Sequence, residues 1–299
     1  MNEMFAGQSA SYQKHYRNRA RLLIKCPDKP GIVAAVSAYL YGKGANIVES
    51  SQYSSDPNEG IFFLRMEFEL DGLENKKEVL EKAFVPVAED FNMEYSFRYV
   101  SKLKKTAIFV SKEPHCLLEL LWEYQSGDLM MEIAMVISNH EDTRGIVEQA
   151  GIPFYYIPAN KDIRREVEEK QIRLLKEKEV DVIVLARYMQ ILTPEFVAAF
   201  PNKIINIHHS FLPAFVGARP YERAYERGVK IIGATSHYVT NDLDEGPIIE
   251  QDIKRVDHRD TVERLKKIGR SIERSVLARA LKWHLEDRII VEKNKTIRF

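Results

Sequence analysis

Residues 203–213 read Lys203-Ile204-Ile205-Asn206-Ile207-His208-His209-Ser210-Phe211-Leu212-Pro213. The stretch opens as a short apolar run and closes in a Ser-Phe-Leu-Pro turn, the pattern of a buried strand ending at a loop. Side chains alternate across a strand, so Asn206 and His208 share one face while Ile205, Ile207 and His209 take the other. A carboxamide and an imidazole then stand side by side at the end of a strand, the edge where open α/β sheets bind ligands. Further on, Asp242-Leu243-Asp244-Glu245-Gly246-Pro247 offers a carboxylate in a glycine-containing loop. Asn, His and Asp together suit the polarisation of a carbonyl and the handling of one proton.

Around that strand the chain alternates apolar runs with helical periodicity. Strands are expected at 106–111, 131–138, 154–157, 180–186, 229–239 and 248–256. Helices are expected at 115–124, 143–150, 161–178, 194–200, 218–227 and 261–283, with a terminal hairpin turning at Lys293-Asn294. In the helix at 161–178, Ile163, Val167 and Leu174 are expected to face inward. The near-continuous apolar run 180–186 suits a parallel strand covered on both faces. Alternating βα units imply a Rossmann-like, mainly parallel doubly wound sheet. Ahead of it, residues 19–100 read β-α-β-β-α-β, the ferredoxin-like α+β order. The reading is therefore α/β overall: an arm at 1–18, a ferredoxin-like domain at 19–100, a basic linker at 101–105 and a second domain at 106–299.

Composition limits the function classes. The 299 residues carry 44 Lys plus Arg against 44 Asp plus Glu, so no global field attracts nucleic acid or an anionic membrane. Cys26 and Cys116 are far apart, which argues against a disulfide framework and suits a reducing compartment. No apolar run approaches the roughly 18 residues of a membrane span, and the N-terminus lacks the apolar stretch of a signal peptide. A cytoplasmic protein is expected.

Two resemblances sharpen this. Cys-Pro-Asp-Lys-Pro-Gly-Ile-Val at 26–33 and Gly-Ala-Asn-Ile-Val-Glu at 44–49 resemble an ACT domain, a small amino-acid-sensing module. The resemblance implies an effector site near Asp28, Gly31, Asn46 and Ile47, although turn chemistry alone also explains Pro30 and Gly31. It also implies side-by-side pairing of such domains, and with exposed sheet edges a homo-oligomer is expected. Asn206-x-His208, then Ser210-Phe211-Leu212-Pro213, then Asp244-x-Gly246-x-Ile248-Ile249, resemble the folate-dependent formyltransferase family from about Thr106 onward. That resemblance implies catalytic roles for Asn206, His208 and Asp244 on the formyl group of 10-formyltetrahydrofolate. It implies a folate-lining segment Ala186-Arg187-Tyr188-Met189-Gln190-Ile191-Leu192, of which Met189, Gln190, Ile191 and Leu192 are the expected contacts. It also implies a pterin loop with Thr240, Asn241, Asp242, Leu243 and Gly246, and apolar walls at Leu185 and Val197. His237, on the strand leading into the loop, is a further substrate or supporting contact.

The residue types fit such chemistry by themselves. Attack on a formamide creates a tetrahedral oxyanion, which Asn206 and a protonated His208 stabilise as donors. Asp244 orients His208 and exchanges a proton with water and with the departing nitrogen. A histidine in a strand is usually structural, and 189–192 could equally be plain core. His208, His209, His237 and Asp244 could instead bind a metal, although no H-E-x-x-H spacing supports it. No metal and no cofactor other than the folate substrate is expected.

The acceptor decides the reaction. The family's glycinamide ribonucleotide branch is expected to hold its acceptor phosphate in a glycine-rich loop after the first strand. Here that loop is Ser111-Lys112-Glu113-Pro114-His115-Cys116, with no glycine, one N–H removed by proline and an added carboxylate. Water is then the natural nucleophile. An ACT domain ahead of the catalytic domain, with the string 208–221, resembles the family's hydrolytic members. It implies hydrolysis of 10-formyltetrahydrofolate to formate and tetrahydrofolate, which supports purine synthesis and balances one-carbon pools. Alternatives are transfer to an amine acceptor, a folate-occupied regulatory protein, and a tRNA formyltransferase, which would want a basic extension.

Overall fold

The computed structural model describes residues 2–56, 59–159, 163–213 and 219–299. They fall into two units, the smaller built on Ala6–Leu103, Glu286–Ile290 and Ile297–Phe299, the larger on Lys104–Leu285 and Val291–Thr296. After helix α1 (Asn2–His15), the smaller unit runs β1 (Arg19–Pro27), α2 (Ile32–Gly42), β2 (Asn46–Ser54), β3 (Ile61–Glu69), α3 (Lys77–Asp90) and β4 (Glu94–Tyr99). Its sheet has the order β2-β3-β1-β4 with antiparallel pairs throughout. Period-two alternation buries Leu22, Ile24, Leu64, Met66 and Phe68 against Val36, Leu40 and Phe84 of the two helices. The opposite face carries charge instead: Arg65, 1% exposed, meets Glu67 at 2.9 Å, and Arg21 meets Glu67 at 2.9 Å and Asp287 at 3.1 Å. Buried charges must be paired in this way to offset their lost hydration.

The larger unit runs β5 (Lys105–Val110), α4 (His115–Ser126), β6 (Glu132–Ser138), α5 (Arg144–Gln149), β7 (Phe154–Tyr156), α6 (Arg164–Glu177), β8 (Val182–Leu185), α7 (Pro194–Ala199), β9 (Ile204–His208), α8 (Pro220–Arg227), β10 (Ile231–Tyr238), β11 (Ile248–Arg255) and α9 (Val262–Leu285). The chain closes in a hairpin of β12 (Ile289–Glu292) and β13 (Lys295–Arg298). The seven strands are ordered β11-β10-β9-β8-β5-β6-β7, parallel from β9 to β7 and antiparallel at β10 and β11. The connections reverse direction between β5 and β8, which opens a crevice at the carboxyl ends of the strands there. All four residues of β8 are buried, as a strand covered on both faces requires. Pro220 at the start of α8 and left-handed Gly228 at its end fix that helix by local chemistry alone.

Two details differ from the sequence reading. In α6 the buried ridge is Val167, Gln171 and Leu175, at spacings of four, while Ile163 is 38% exposed and Leu174 half-buried. A helix face follows the i, i+4 row, and a buried glutamine inside it conceals the row from a hydrophobicity count. The helix begins at Arg164, and Lys161 lies outside the described residues.

Candidate active site

The carboxyl end of β9 lies between β8 and β10, and cross-strand partners share a face. Leu185 pairs with Asn206, and Asn206 with His237, so the three form one row across the sheet. His208, one pleat further on the same face, is 6% exposed. Its Nδ1 lies 3.2 Å from Asp244 Oδ2, and its Nε2 is buried with no hydrogen-bond partner among the described residues. The ring is thus held on one side by a carboxylate and offers its other nitrogen to the site.

Asp244 comes from the loop between β10 and β11. Its φ of 58° is left-handed, a strained conformation for a residue with a side chain. The loop is tied by Glu245 N–H to Asp242 O at 3.3 Å, by Thr240 Oγ1 to Asp242 O at 3.2 Å, and by Asn294 Nδ2 to Glu245 O at 2.9 Å. Gly246 lets the loop return against β10: a Cβ there would lie 1.8 Å from Tyr238 O. Burial works to raise the Asp244 pKa, but hydrogen bonds and charge from His208 and His237 outweigh it and hold the carboxyl well below the usual range. It is an anion throughout the neutral range.

His237 has a tautomer set by its neighbours. Nδ1 lies 2.9 Å from Tyr238 O, a pure acceptor, so Nδ1 carries the proton. Nε2 stands 3.2 Å from Asn206 Nδ2 and 3.6 Å from Asp244 Oδ1. Nε2 therefore stands between the Asn206 carboxamide and the Asp244 carboxylate and ties both to one ring.

These groups line a cavity of about 410 Å³ together with Leu185, Met189–Leu192, Thr240–Leu243 and Val239. Met189, Ile191 and Leu243 are 57%, 54% and 55% exposed at its mouth, where large apolar side chains are uncovered only if something else covers them. The segment 187–193 is pinned at both ends: Ser111 Oγ accepts from Met189 N at 3.0 Å, and Glu168 accepts from Thr193 N at 3.1 Å. Of the expected site residues, Val197 does not line the cavity; it is 9% exposed and packs in the core with Phe196 and Phe200. Gly246 does not line it either and acts through its close backbone approach. His209, expected on the opposite face, lines the same cavity, because β9 ends at His208 and the alternation ends with it. Burial, then the nearby Arg187 charge, push its pKa down to about 4, so the ring is neutral at pH 7.

Arg187 and Tyr188, from the segment that the resemblance implies lines the folate, also line the cavity, as does Arg219, which the sequence alone does not single out. Arg187 leads to a second polar cluster. Glu273 of α9 is 1% exposed and meets His115 Nε2 at 2.8 Å, the Tyr221 hydroxyl at 2.7 Å and Arg187 Nε at 3.4 Å. Despite its burial, which raises a carboxyl pKa, these donors bring Glu273 down to about 2. Gly269, one turn earlier on α9, makes room for Tyr221, since a Cβ there would lie 1.9 Å from its hydroxyl. His115, Cys116 and Glu273 place ligand-type atoms within 4.8 Å of one another, but Arg187 already supplies the positive charge there. The metal alternative at His208, His209, His237 and Asp244 does not form such a group among the described residues.

In the smaller unit, Asp28 accepts from Ser54 Oγ in the β1–α2 loop, and Gly31 precedes α2 with φ 97°. Asn46 is exposed at the start of β2, and Ile47 packs against the core.

Comparison with known proteins follows the same division. The formyl transferase family model matches residues 104–281 and the ACT domain model residues 20–85. The formyltetrahydrofolate deformylase of Bacillus subtilis is 68% identical over 96% of this chain and 96% of its own. The chain belongs to the formyltetrahydrofolate deformylase family. The Escherichia coli deformylase is 45% identical over 95% of this chain and 99% of its own. A crystal structure of a formyltetrahydrofolate deformylase from Pseudomonas syringae superposes with a TM-score of 0.91, at 45% identity, covering 97% of this chain and 99% of that one. A glycinamide ribonucleotide transformylase from Symbiobacterium toebii reaches 0.62 at 30% identity, covering 68% of this chain and 96% of that one. No helix among the described residues is long and apolar enough to cross a membrane.

Proposed function

We propose that this protein hydrolyses 10-formyltetrahydrofolate to formate and tetrahydrofolate. The observation that carries the reading is a buried His208 ring, braced on Nδ1 by Asp244 at 3.2 Å and unpartnered on Nε2, in a cavity mouthed by exposed apolar side chains. The pterin system lies against Met189, Ile191 and Leu243, which brings the formyl carbon to the polar end. Water adds to that carbon, and the oxygen that becomes negative is met by Asn206 Nδ2–H and His208 Nε2–H; one such donor is worth about two to three decades in rate. The C–N bond then breaks, and the folate nitrogen leaves with a proton.

The reading gives Asp244 the proton-handling step. One observation favours a second division of labour: a carboxyl held so far below its usual range is a weak base. In that version His208 Nε2 takes the proton from water and returns it to the leaving nitrogen, while Asp244 stabilises the charged ring. No step is routed through a metal or a cofactor, and chelation is expected to leave the rate unchanged.

Around this chemistry we place a homo-oligomeric, cytoplasmic enzyme whose formate supports purine synthesis and whose ACT unit takes an amino-acid effector near Asp28, Gly31, Asn46 and Ile47. The test is formate release from 10-formyltetrahydrofolate in buffer free of amine acceptor. Stoichiometric formate and tetrahydrofolate are expected; turnover that begins only when an amine is added would refute hydrolysis.

A further inference from the structure

The Arg187–Glu273 cluster plays no part in the steps above, yet Arg187 and His209 form one wall of the cavity. Most of the remaining lining, from Met189 to Leu192 and from Val239 to Leu243, is taken up by the pterin in the hydrolase reading. A second substrate would have to approach along the wall of Arg187 and His209. That wall is closed by design of the chain. Arg187 has a left-handed φ of 63° that turns its side chain toward α9. There its guanidinium, 14% exposed, faces Glu273, itself fastened by His115 and Tyr221. His115 belongs to the loop that the sequence reading found unsuited to an acceptor phosphate, and the loop is stitched to the same segment by Ser111 N–H to Arg187 O at 3.3 Å.

We propose that Arg187 is a specificity-determining residue and Glu273 its positioning residue: together they fill the approach an amine acceptor would use and so reserve the formyl group for water. The proposal rests on the hydrolase reading. Its alternative reaction balances simply: the amine nitrogen bonds to the formyl carbon, the C–N bond to folate breaks, and the amine's proton passes to the departing folate nitrogen, giving a formamide and tetrahydrofolate without formate.

The experiment measures the ratio of formylated amine to formate made from 10-formyltetrahydrofolate in the presence of excess hydroxylamine, with an enzyme-free control. A ratio does not depend on how much enzyme is folded. Arg187→Gly empties the wall with a residue that accepts the left-handed backbone. The wild type is expected to give almost only formate, with a small ratio after the enzyme-free control is subtracted. Arg187→Gly is expected to raise that ratio at least about tenfold, the lower end of what reshaping one pocket wall does to discrimination. Because Arg187→Gly strands a buried carboxylate, the double variant Arg187→Gly/Glu273→Gln is measured beside it and decides the matter should the single variant not fold. Hydrolysis at an unchanged ratio in the variant that folds would overturn the proposal. A wild type releasing no formate would instead sink the hydrolase reading, and this inference with it.

Discussion

Replacing Glu273 by Gln keeps shape and removes one charge, and its consequence can be sized. The carboxyl is held at about 2 against an ordinary value of 4.5, although burial alone acts in the other direction. Across that interval, at about 1.4 kcal/mol per pH unit, the charged form stabilises the fold by about 3 kcal/mol. Because the folded pKa is the lower one, this stabilisation is complete above about pH 4.5 and is lost as pH falls toward 2. Glu273→Gln should therefore lower the thermal midpoint of the larger unit at pH 7 by roughly 6–12 °C. The gap between variant and wild type should narrow through the acid range. The assay is thermal unfolding of both proteins between pH 2 and 7, followed by near-ultraviolet circular dichroism. Coincident midpoints at pH 7, or a gap that persists unchanged at pH 2, would refute the assignment of a charged, stabilising Glu273.

Asp244→Asn should reduce kcat by about three to four decades while folate binding, followed by fluorescence titration, is retained, because the His208 ring loses its anionic brace; near-normal turnover would remove Asp244 from the mechanism. Asn206→Ala should cost about two to three decades in kcat, measured by formate release, with the fold intact. Since His209 is held near 4, well below neutrality, His209→Gln should leave any limb of the pH–rate profile between about 6 and 8 in place. Gly269→Ala sets a Cβ 1.9 Å from the Tyr221 hydroxyl, so urea denaturation should report a loss of about 1–3 kcal/mol, the usual cost of overpacking.

The sequence was most legible where a regular element supplied the geometry. Alternation along β9 put Asn206 and His208 on one face, and the pairing of Leu185, Asn206 and His237 places them in one row. It failed where the element stopped: His209 lies just past the strand, where period two no longer holds. Val197 was misplaced for a related reason, since an apolar residue beside a pocket reads the same whether it faces the ligand or the core. The Arg187–Glu273 cluster was illegible as a contact, because it joins segments brought together only by the sheet and α9. A trace was there to see: Glu273 stands among Leu265, Ile272, Val276 and Leu277 on the buried face of a helix, and a lone acid in such company needs a cation.

Asn206 and His208 rest on strands locked into a seven-stranded sheet, but Asp244 rides on a loop steadied from outside by Asn294 at the hairpin's tip. The placement of Asp244 therefore depends in part on the far end of the chain. Beyond the ties within its own loop, one amide of the terminal hairpin steadies it, and loosening that amide is expected to widen the acid's range of positions without touching the sheet.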